Sequence, residues 1–310
     1  MPASKRPIRY AIVGLGHIAQ VAVLPAFVHA RRNSRLTAIV SGDRPKRREL
    51  AKRYRLEQAF GYEEFDDCLR SVDAVYIALP NSMHAEYTIR AARAGVHVLC
   101  EKPMAVTVDE CRQMITACRK AQVKLMIAYR LHFDALNLSA MDLARGGRLG
   151  EVKFFNSSFS MTVRRGDIRT KRAYGGGTLY DIGVYCINAA RNLFRAEPTQ
   201  VSAISINSGL ATLEEIDETT AAILRFADER VASFVTSFNA SDVASYRIVG
   251  TKGHLQADPA YEYAEGLEYR LTIDGKKSHK KTPKRDQFAP ELLYFSDCIL
   301  KDREPEPSGE

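Results

Sequence analysis

The stretch Arg9-Tyr10-Ala11-Ile12-Val13-Gly14-Leu15-Gly16-His17-Ile18-Ala19 decides the fold. Residues 8–13 are mostly apolar and β-branched and predict a strand. Gly-x-Gly-x-x-Ala follows at once and opens into a helical pattern. Gly14 permits a tight turn, Gly16 lets the backbone approach a pyrophosphate, and Ala19 allows close helix–strand packing. The helix N-terminus adds free N–H groups and the positive end of its dipole. The motif alone is weak, since a glycine turn can serve other βαβ units. Its place between an early strand and a helix makes it a dinucleotide signature. Pro25 falls inside the helical pattern and predicts a kink or break near Leu24.

A second strand is expected over 36–40. Sites for NAD carry an acidic residue about 20 residues after the glycines, at the end of this strand. Here the sequence reads Ser41-Gly42-Asp43-Arg44-Pro45-Lys46-Arg47-Arg48. Serine stands where the carboxylate would be, and cations follow, which suits a 2′-phosphate. NADP is therefore expected over NAD, with Ser41, Arg44 and Lys46 as its contacts. Asp43 is assigned to capping the helix that starts near Arg44.

Further strands are expected over 74–79, 96–100 and 124–129, each joined to the next by a helical segment. Pro80-Asn81-Ser82-Met83-His84 opens one helix, and Thr107 with Glu110 forms a capping-box pattern before another over 108–121. Strands alternating with helices at this spacing mean an α/β, doubly wound parallel sheet, the Rossmann arrangement. Ligands bind such sheets at the carboxyl ends of the strands. Gly14, Ser41, Pro80, Asn81 and Lys102 all fall there. Lys102 puts an ammonium at a strand end, fixed by Pro103.

From Arg130 the pattern changes, so the division is placed there: residues 1–129 for the dinucleotide and 130–310 for the substrate. A helix over 134–144 stops at Gly146-Gly147, and residues 151–163 alternate as a strand. The segment from Arg164 to Arg172 is basic and is read as a loop. Tyr174 and the flexible run Gly175-Gly176-Gly177 lead into a helix carrying Asp181, Tyr185 and Asn188. At i, i+4 and i+7 these three share one helical face. Strand-like runs at 201–206, 219–226, 230–238 and 246–249 predict an antiparallel sheet, making the second domain α+β. A helix is expected over 290–300.

The totals exclude several classes. The chain has 310 residues, 45% hydrophobic and 26% charged, with a net charge of +8. That is enough for two cores. No apolar run reaches the roughly 18–20 residues of a membrane helix, and Met1 to Arg9 is polar and basic, unlike a secretory signal. The six cysteines form no CxxC pair, and are read as reduced thiols of a cytoplasmic protein. The basic run 276–285 carries no nucleic-acid motif and is read as a solvated loop. No metal, membrane or nucleic acid is expected.

With these residues in place, the chain resembles the glucose–fructose oxidoreductase, inositol dehydrogenase and rhizopine-catabolism (Gfo/Idh/MocA) family. The resemblance rests on Gly14-Leu15-Gly16-His17-Ile18-Ala19, Glu101-Lys102-Pro103 and Asp181-Ile182-Gly183-Val184-Tyr185 in that order. Many members have histidine where this chain has Tyr185. That variant, with Tyr129-Arg130-Leu131-His132-Phe133 and Gly175-Gly176-Gly177-Thr178-Leu179-Tyr180, is similar to the glucose–fructose oxidoreductase and dihydrodiol dehydrogenase branch. The resemblance adds His17, Ile18, His84, Glu101, Lys102 and Arg130 to the cofactor contacts. It implies an open, mostly antiparallel C-terminal sheet and a homodimer or homotetramer formed through it.

The resemblance also implies the chemistry, a hydride transferred between C4 of a nicotinamide and C1 of an aldose, or a related polyol or diol carbon. Tyr185 is then the acid/base. A free phenol titrates at about 10, and the Lys102 ammonium favours phenolate. Asp181 orients the lysine or hydrogen-bonds the sugar. Arg172, Tyr174 and Asn188 are further substrate contacts. The alternative within the same fold is a non-catalytic NADP-binding sensor.

Overall fold

The computed structural model describes residues 6–310; the start of the polar leader, Met1 to Lys5, lies outside the described residues. Contacts divide the chain into two compact units, one running to Arg130 and joined by Asp286–Glu310, the other Leu131–Arg285.

In the first unit, short apolar segments form β1 (Ile8–Val13), β2 (Ser34–Val40), β3 (Gln58–Phe60), β4 (Ala74–Ile77), β5 (His97–Glu101) and β6 (Leu125–Ala128). They make one sheet in the order β3-β2-β1-β4-β5-β6, with every pair parallel. The chain leaves β1 toward β2 on one side, and β4 lies on the other. That reversal opens the crevice in which such sheets bind ligands. β4 is buried on both faces, as a covered parallel sheet requires. One face packs on helices through Val75, Ile77, Leu79, Tyr87, Ala91, Val98 and Met114.

The caps form as expected. Asp43 accepts from the Lys46 N–H at 3.0 Å and starts the Arg44–Tyr54 helix. Thr107 and Glu110 make both bonds of the capping box before the Val108–Lys120 helix. Pro25 acts differently from a simple kink. The turn before it widens to a π-helix, Ala19–Val23, whose Leu24 N–H reaches back to the Ala19 carbonyl. Pro25 has no N–H to offer that preceding turn, and the helix then ends after Leu24–Ala26.

The C-terminal helix, Phe288–Leu300, belongs to this first unit, which corrects the sequence-based division that ran the second domain to Glu310. Its Ser296 hydroxyl bonds Tyr10 on β1 at 2.7 Å and Ser34 on β2 at 2.8 Å. Asn33 Nδ2 donates to the Leu293 carbonyl at 2.9 Å. The tail goes on to pair Ser308 with Met126 on β6.

The second unit is built on β7 (Val152–Thr162), β8 (Gln200–Ile206), β9 (Thr219–Arg225), β10 (Val231–Ser237), β11 (Asn239–Gly250), β12 (Gly253–Ala257), β13 (Glu268–Ile273) and β14 (Lys276–Lys281). The order is β14-β13-β12-β11-β7-β10-β9-β8, antiparallel except where β10 meets β7. Helices Ala135–Arg145 and Val184–Phe194 cover one face over a core that includes Phe155, Phe159, Phe234, Tyr246 and Tyr261. The basic run at 276–285 is not simply a loop. Its first part is the edge strand β14, exposed at every residue, and Lys281 and His279 face Glu268 on β13. Lysines on an edge strand discourage further strand pairing.

All six cysteines are free. Burial pushes Cys68, Cys118 and Cys186 up to about 12, which makes them packing residues rather than nucleophiles. Among the described residues no helix is long and apolar enough to cross a membrane.

Candidate active site

The carboxyl rim of the parallel sheet gathers most of the residues expected to hold a cofactor. Gly14, directly after β1, has φ +95°, and a Cβ there would lie 2.4 Å from the Ala78 carbonyl oxygen. Only glycine fits that turn. Gly16 differs: a Cβ would meet no protein atom within 4 Å. Packing within the chain does not demand a glycine there, whereas a ligand resting on the backbone would. His17 is exposed and Ile18 half-buried beside it. These residues fit a dinucleotide at the β1/β4 crossover.

At the end of β2, Ser41 is buried, and its hydroxyl accepts from the Asp43 N–H at 3.2 Å. Asp43 faces its own helix, pairing with Lys46 Nζ at 3.1 Å, and Lys46 holds its carboxyl below the usual range. Arg44 is exposed. Arg47, which sequence reasoning passed over, donates to the Ser41 carbonyl at 2.8 Å and brings another guanidinium to this end of β2.

At the ends of β4 and β5 the chain runs through Pro80 and Asn81 and through Glu101, Lys102 and Pro103. His84 was expected to touch the cofactor. Instead it is fully buried, with Nδ1 2.8 Å from the Pro103 carbonyl and Nε2 2.9 Å from the Leu79 carbonyl. It is a strut between the two turns, and both ring nitrogens are spent on backbone. Burial holds its pKa below the ordinary value.

Behind Lys102 lies a polar cluster within the same unit. Tyr76 Oη donates to Glu101 Oε1 at 2.8 Å, and the Lys102 N–H donates to Oε2 at 3.2 Å. Desolvation still raises the Glu101 carboxyl above its ordinary range, against the pull of Lys102. Arg130 is 5% exposed and donates to Gln287 Oε1. Glu291 is completely buried, and neither carboxyl oxygen has a hydrogen-bond partner among the described residues. Burial and then the nearby Glu101 push its pKa far up, with Arg130 opposing.

In the second unit, Asp181 and Tyr185 come from a helix that starts as a π turn, Leu179–Gly183, and continues as Val184–Phe194. The α-helical spacing that put Asp181, Tyr185 and Asn188 on one face therefore holds only from Val184 onward. Tyr185 is 8% exposed and its ring packs against Phe159 and Tyr261 at centroid distances of 5.6 and 5.9 Å. Asn188 Oδ1 lies 2.7 Å from His132 Nε2. Asp181 Oδ2 accepts from Arg169 Nε at 2.8 Å. Arg172 is committed to residue 215, donating from Nε to its carbonyl at 3.0 Å, while Tyr174 is exposed. Sequence reasoning missed His132 and Arg169 as partners of the helix. A basic residue in the loop was visible, but not which one reached Asp181.

Comparison with known proteins agrees with this architecture. Residues 8–129 match the model of an oxidoreductase family with an NAD-binding Rossmann fold, GFO/IDH/MocA, and residues 138–256 match that family's C-terminal domain. The chain is 32% identical to a D-xylose 1-dehydrogenase [NADP(+)] of Haloarcula marismortui over 99% of this chain and 88% of that one. It superposes on an aldose-aldose oxidoreductase from Caulobacter crescentus, complexed with glycerol, with a TM-score of 0.93 and 38% identity, covering 98% and 92% of the two chains. A 3-ketoreductase from Actinomadura kijaniata in complex with NADP and TDP-benzene gives a TM-score of 0.88 and 26% identity over 98% and 93%. With both of its halves matched and the parallel sheet and mostly antiparallel sheet both present, the chain belongs to the GFO/IDH/MocA oxidoreductase family.

Proposed function

We propose that the protein is an NADP(H)-dependent oxidoreductase acting on a sugar, at C1 of an aldose, or on a related polyol or diol. The observation that carries this reading is the open backbone at Gly16 on the β1/β4 crossover, the place where a pyrophosphate rests in such sheets. The named activities of the Haloarcula and Caulobacter relatives support the sugar assignment.

The first unit holds the cofactor. Gly14, Gly16, His17 and Ile18 take the pyrophosphate side, Pro80 and Asn81 border the adjoining turn, and Glu101, Lys102 and Arg130 stand toward the nicotinamide. At the end of β2, Ser41, Arg44 and Lys46, joined by Arg47, receive a 2′-phosphate. Asp43, which would repel it, is engaged by its own helix. When bound, NADP supplies the hydride acceptor or donor at its nicotinamide ring.

The second unit holds the substrate. Tyr185 takes or returns the hydroxyl proton of the reacting carbon. Its ring is clamped by Phe159 and Tyr261, so the phenol oxygen is held in one direction with little entropy left to lose. Lys102 is assigned to the same reacting set, and Asp181 accepts a hydrogen bond from the sugar. A positioned acid/base of this kind contributes about 10²–10⁴-fold. Arg172, Tyr174 and Asn188 complete the substrate contacts.

The uncovered face of the second sheet is proposed to bind a second copy of the chain. One row across it runs Ser245, Ser158, Val235, Ala221 and Ile204 on adjacent strands. Val235 is 46% exposed and Ile204 69%. Small and apolar side chains on an uncovered sheet face suit self-association.

Fluorescence titration with NADPH and NADH, followed by an aldose, polyol and dihydrodiol panel, tests the reading. Tighter NADPH binding with turnover on a panel member is expected. Tighter NADH binding overturns the cofactor assignment. Tight NADPH binding with no turnover on any panel member replaces it with a sensor role.

A further inference from the structure

Arg169 closes a ring with Asp181. Arg169 Nε donates to Asp181 Oδ2 at 2.8 Å. The Gly177 N–H donates to the Arg169 carbonyl at 2.9 Å, and the Asp181 N–H donates to the Gly177 carbonyl at 3.1 Å. Side chain and main chain thus tie the same residues together. The guanidinium is held from behind as well, with Nη1 donating to Asp167 Oδ2 at 3.1 Å. Asp167 in turn fixes the short turn Ile168–Thr170 by accepting from the Arg169 N–H at 2.9 Å.

The glycines before the helix serve this ring. A Cβ on Gly176 would stand 2.4 Å from the Arg169 carbonyl oxygen and 2.8 Å from that of Lys171. Gly177 has φ +125°, a conformation open to glycine and strained for other residues. What reads in sequence as a flexible entry is a close-packed turn that only glycine permits. An ion pair between exposed side chains wanders and contributes little. Here the main chains of both partners are tied together, and the Asp181 side chain is 16% exposed against 43% for Arg169.

We propose that Arg169 is a positioning residue for the reaction: it fixes the direction of the Asp181 carboxylate, and the glycine turn exists to deliver it. The inference rests on the assignment of Asp181 to the reacting set. With Oδ2 held by Arg169, Asp181 presents a fixed acceptor to a substrate hydroxyl, so the loop around Arg169 governs how the sugar is aligned. A misalignment of about 1 Å can cost on the order of 10²-fold in rate.

The test uses Arg169→Ala, Arg169→Lys, Gly176→Ala and Asp181→Asn in the full-length protein, assayed with the best panel substrate. R169A is expected to lower kcat/KM by about 10²-fold, with NADPH affinity and melting temperature retained. R169K retains more activity than R169A, and guanidinium chloride at millimolar concentration restores part of the R169A loss. G176A loses activity that guanidinium does not restore, because the turn itself has moved. Wild-type kcat/KM in R169A overturns the proposal. So does an R169A loss that neither lysine nor guanidinium recovers. Should R169A melt early, R169K decides: wild-type folding with activity between wild type and D181N supports the proposal, and activity equal to D181N overturns it. If D181N itself turns over normally, the assignment of Asp181 has failed. If D181N is impaired and R169A is not, only the role of Arg169 has failed.

Discussion

Replacing Glu291 with glutamine should stabilise the protein, and more so as pH rises. Glu291 is fully buried, both its oxygens lack hydrogen-bond partners among the described residues, and burial raises its pKa well above 4.5. The charged groups acting on it are Glu101, which opposes ionisation, and Arg130, which favours it. In the folded protein the carboxyl keeps its proton, whereas the unfolded chain gives it up above about pH 4.5. The folded pKa is raised, so the stability present below pH 4.5 is lost as pH climbs toward the folded value. Each pH unit in that window costs about 1.4 kcal/mol. Glutamine has no proton to lose, and its own burial cost does not vary with pH. Between about pH 4.5 and the folded value the advantage of E291Q over wild type therefore grows by about 1.4 kcal/mol per pH unit. For a chain of this size that is on the order of 2–4 °C in Tm per unit. Parallel thermal melts across the range read the difference directly, because titrating groups that do not interact with Glu291 cancel. A gap that stays flat or shrinks with pH would mean that Arg130 holds Glu291 ionised, and the reasoning fails.

The two glycines of the turn should separate folding from binding. Gly14→Ala, at φ +95° and 2.4 Å from a carbonyl oxygen, should cost at least ~1–2 kcal/mol of stability in urea unfolding. Gly16→Ala, with open space at its Cβ, should melt as wild type and bind NADPH about tenfold more weakly, a 1.4 kcal/mol change in a fluorescence titration. Thr107→Ala removes one bond of the capping box and should cost about 1 kcal/mol, seen as faster hydrogen exchange in the first turn of the Val108–Lys120 helix. Val235→Asp on the uncovered sheet face should leave single chains in light scattering if that face joins two copies; an unchanged mass would remove it as the interface.

What the sequence made legible is what is local. The strand ending at Val13, the glycine turn, the Asp43 cap and the Thr107–Glu110 box each depend on residues within a few positions of one another. The parts that stayed hidden depend on residues far apart. The apolar pattern of 290–300 announces a helix, but nothing in it says that Ser296 will meet Tyr10 and Ser34 on the first sheet. The partners of the second-unit helix, Arg169 and His132, lie 12 and 56 residues from the side chains they hold. The π turn at Leu179–Gly183 shifts the helical face by a backbone choice that side-chain spacing does not encode. β14 was hidden for another reason: an edge strand exposed on both faces has no alternation, and six polar residues in a row look like a loop.

In the proposed reaction Lys102 and Tyr185 carry the proton chemistry of an NADP-dependent oxidation. Its most direct test is steady-state turnover of Lys102→Ala and Tyr185→Phe on the best sugar or diol substrate, with NADPH affinity measured on the same preparations. kcat is expected to fall by about 10²-fold or more in each, while NADPH still binds. Wild-type kcat in either variant would contradict it.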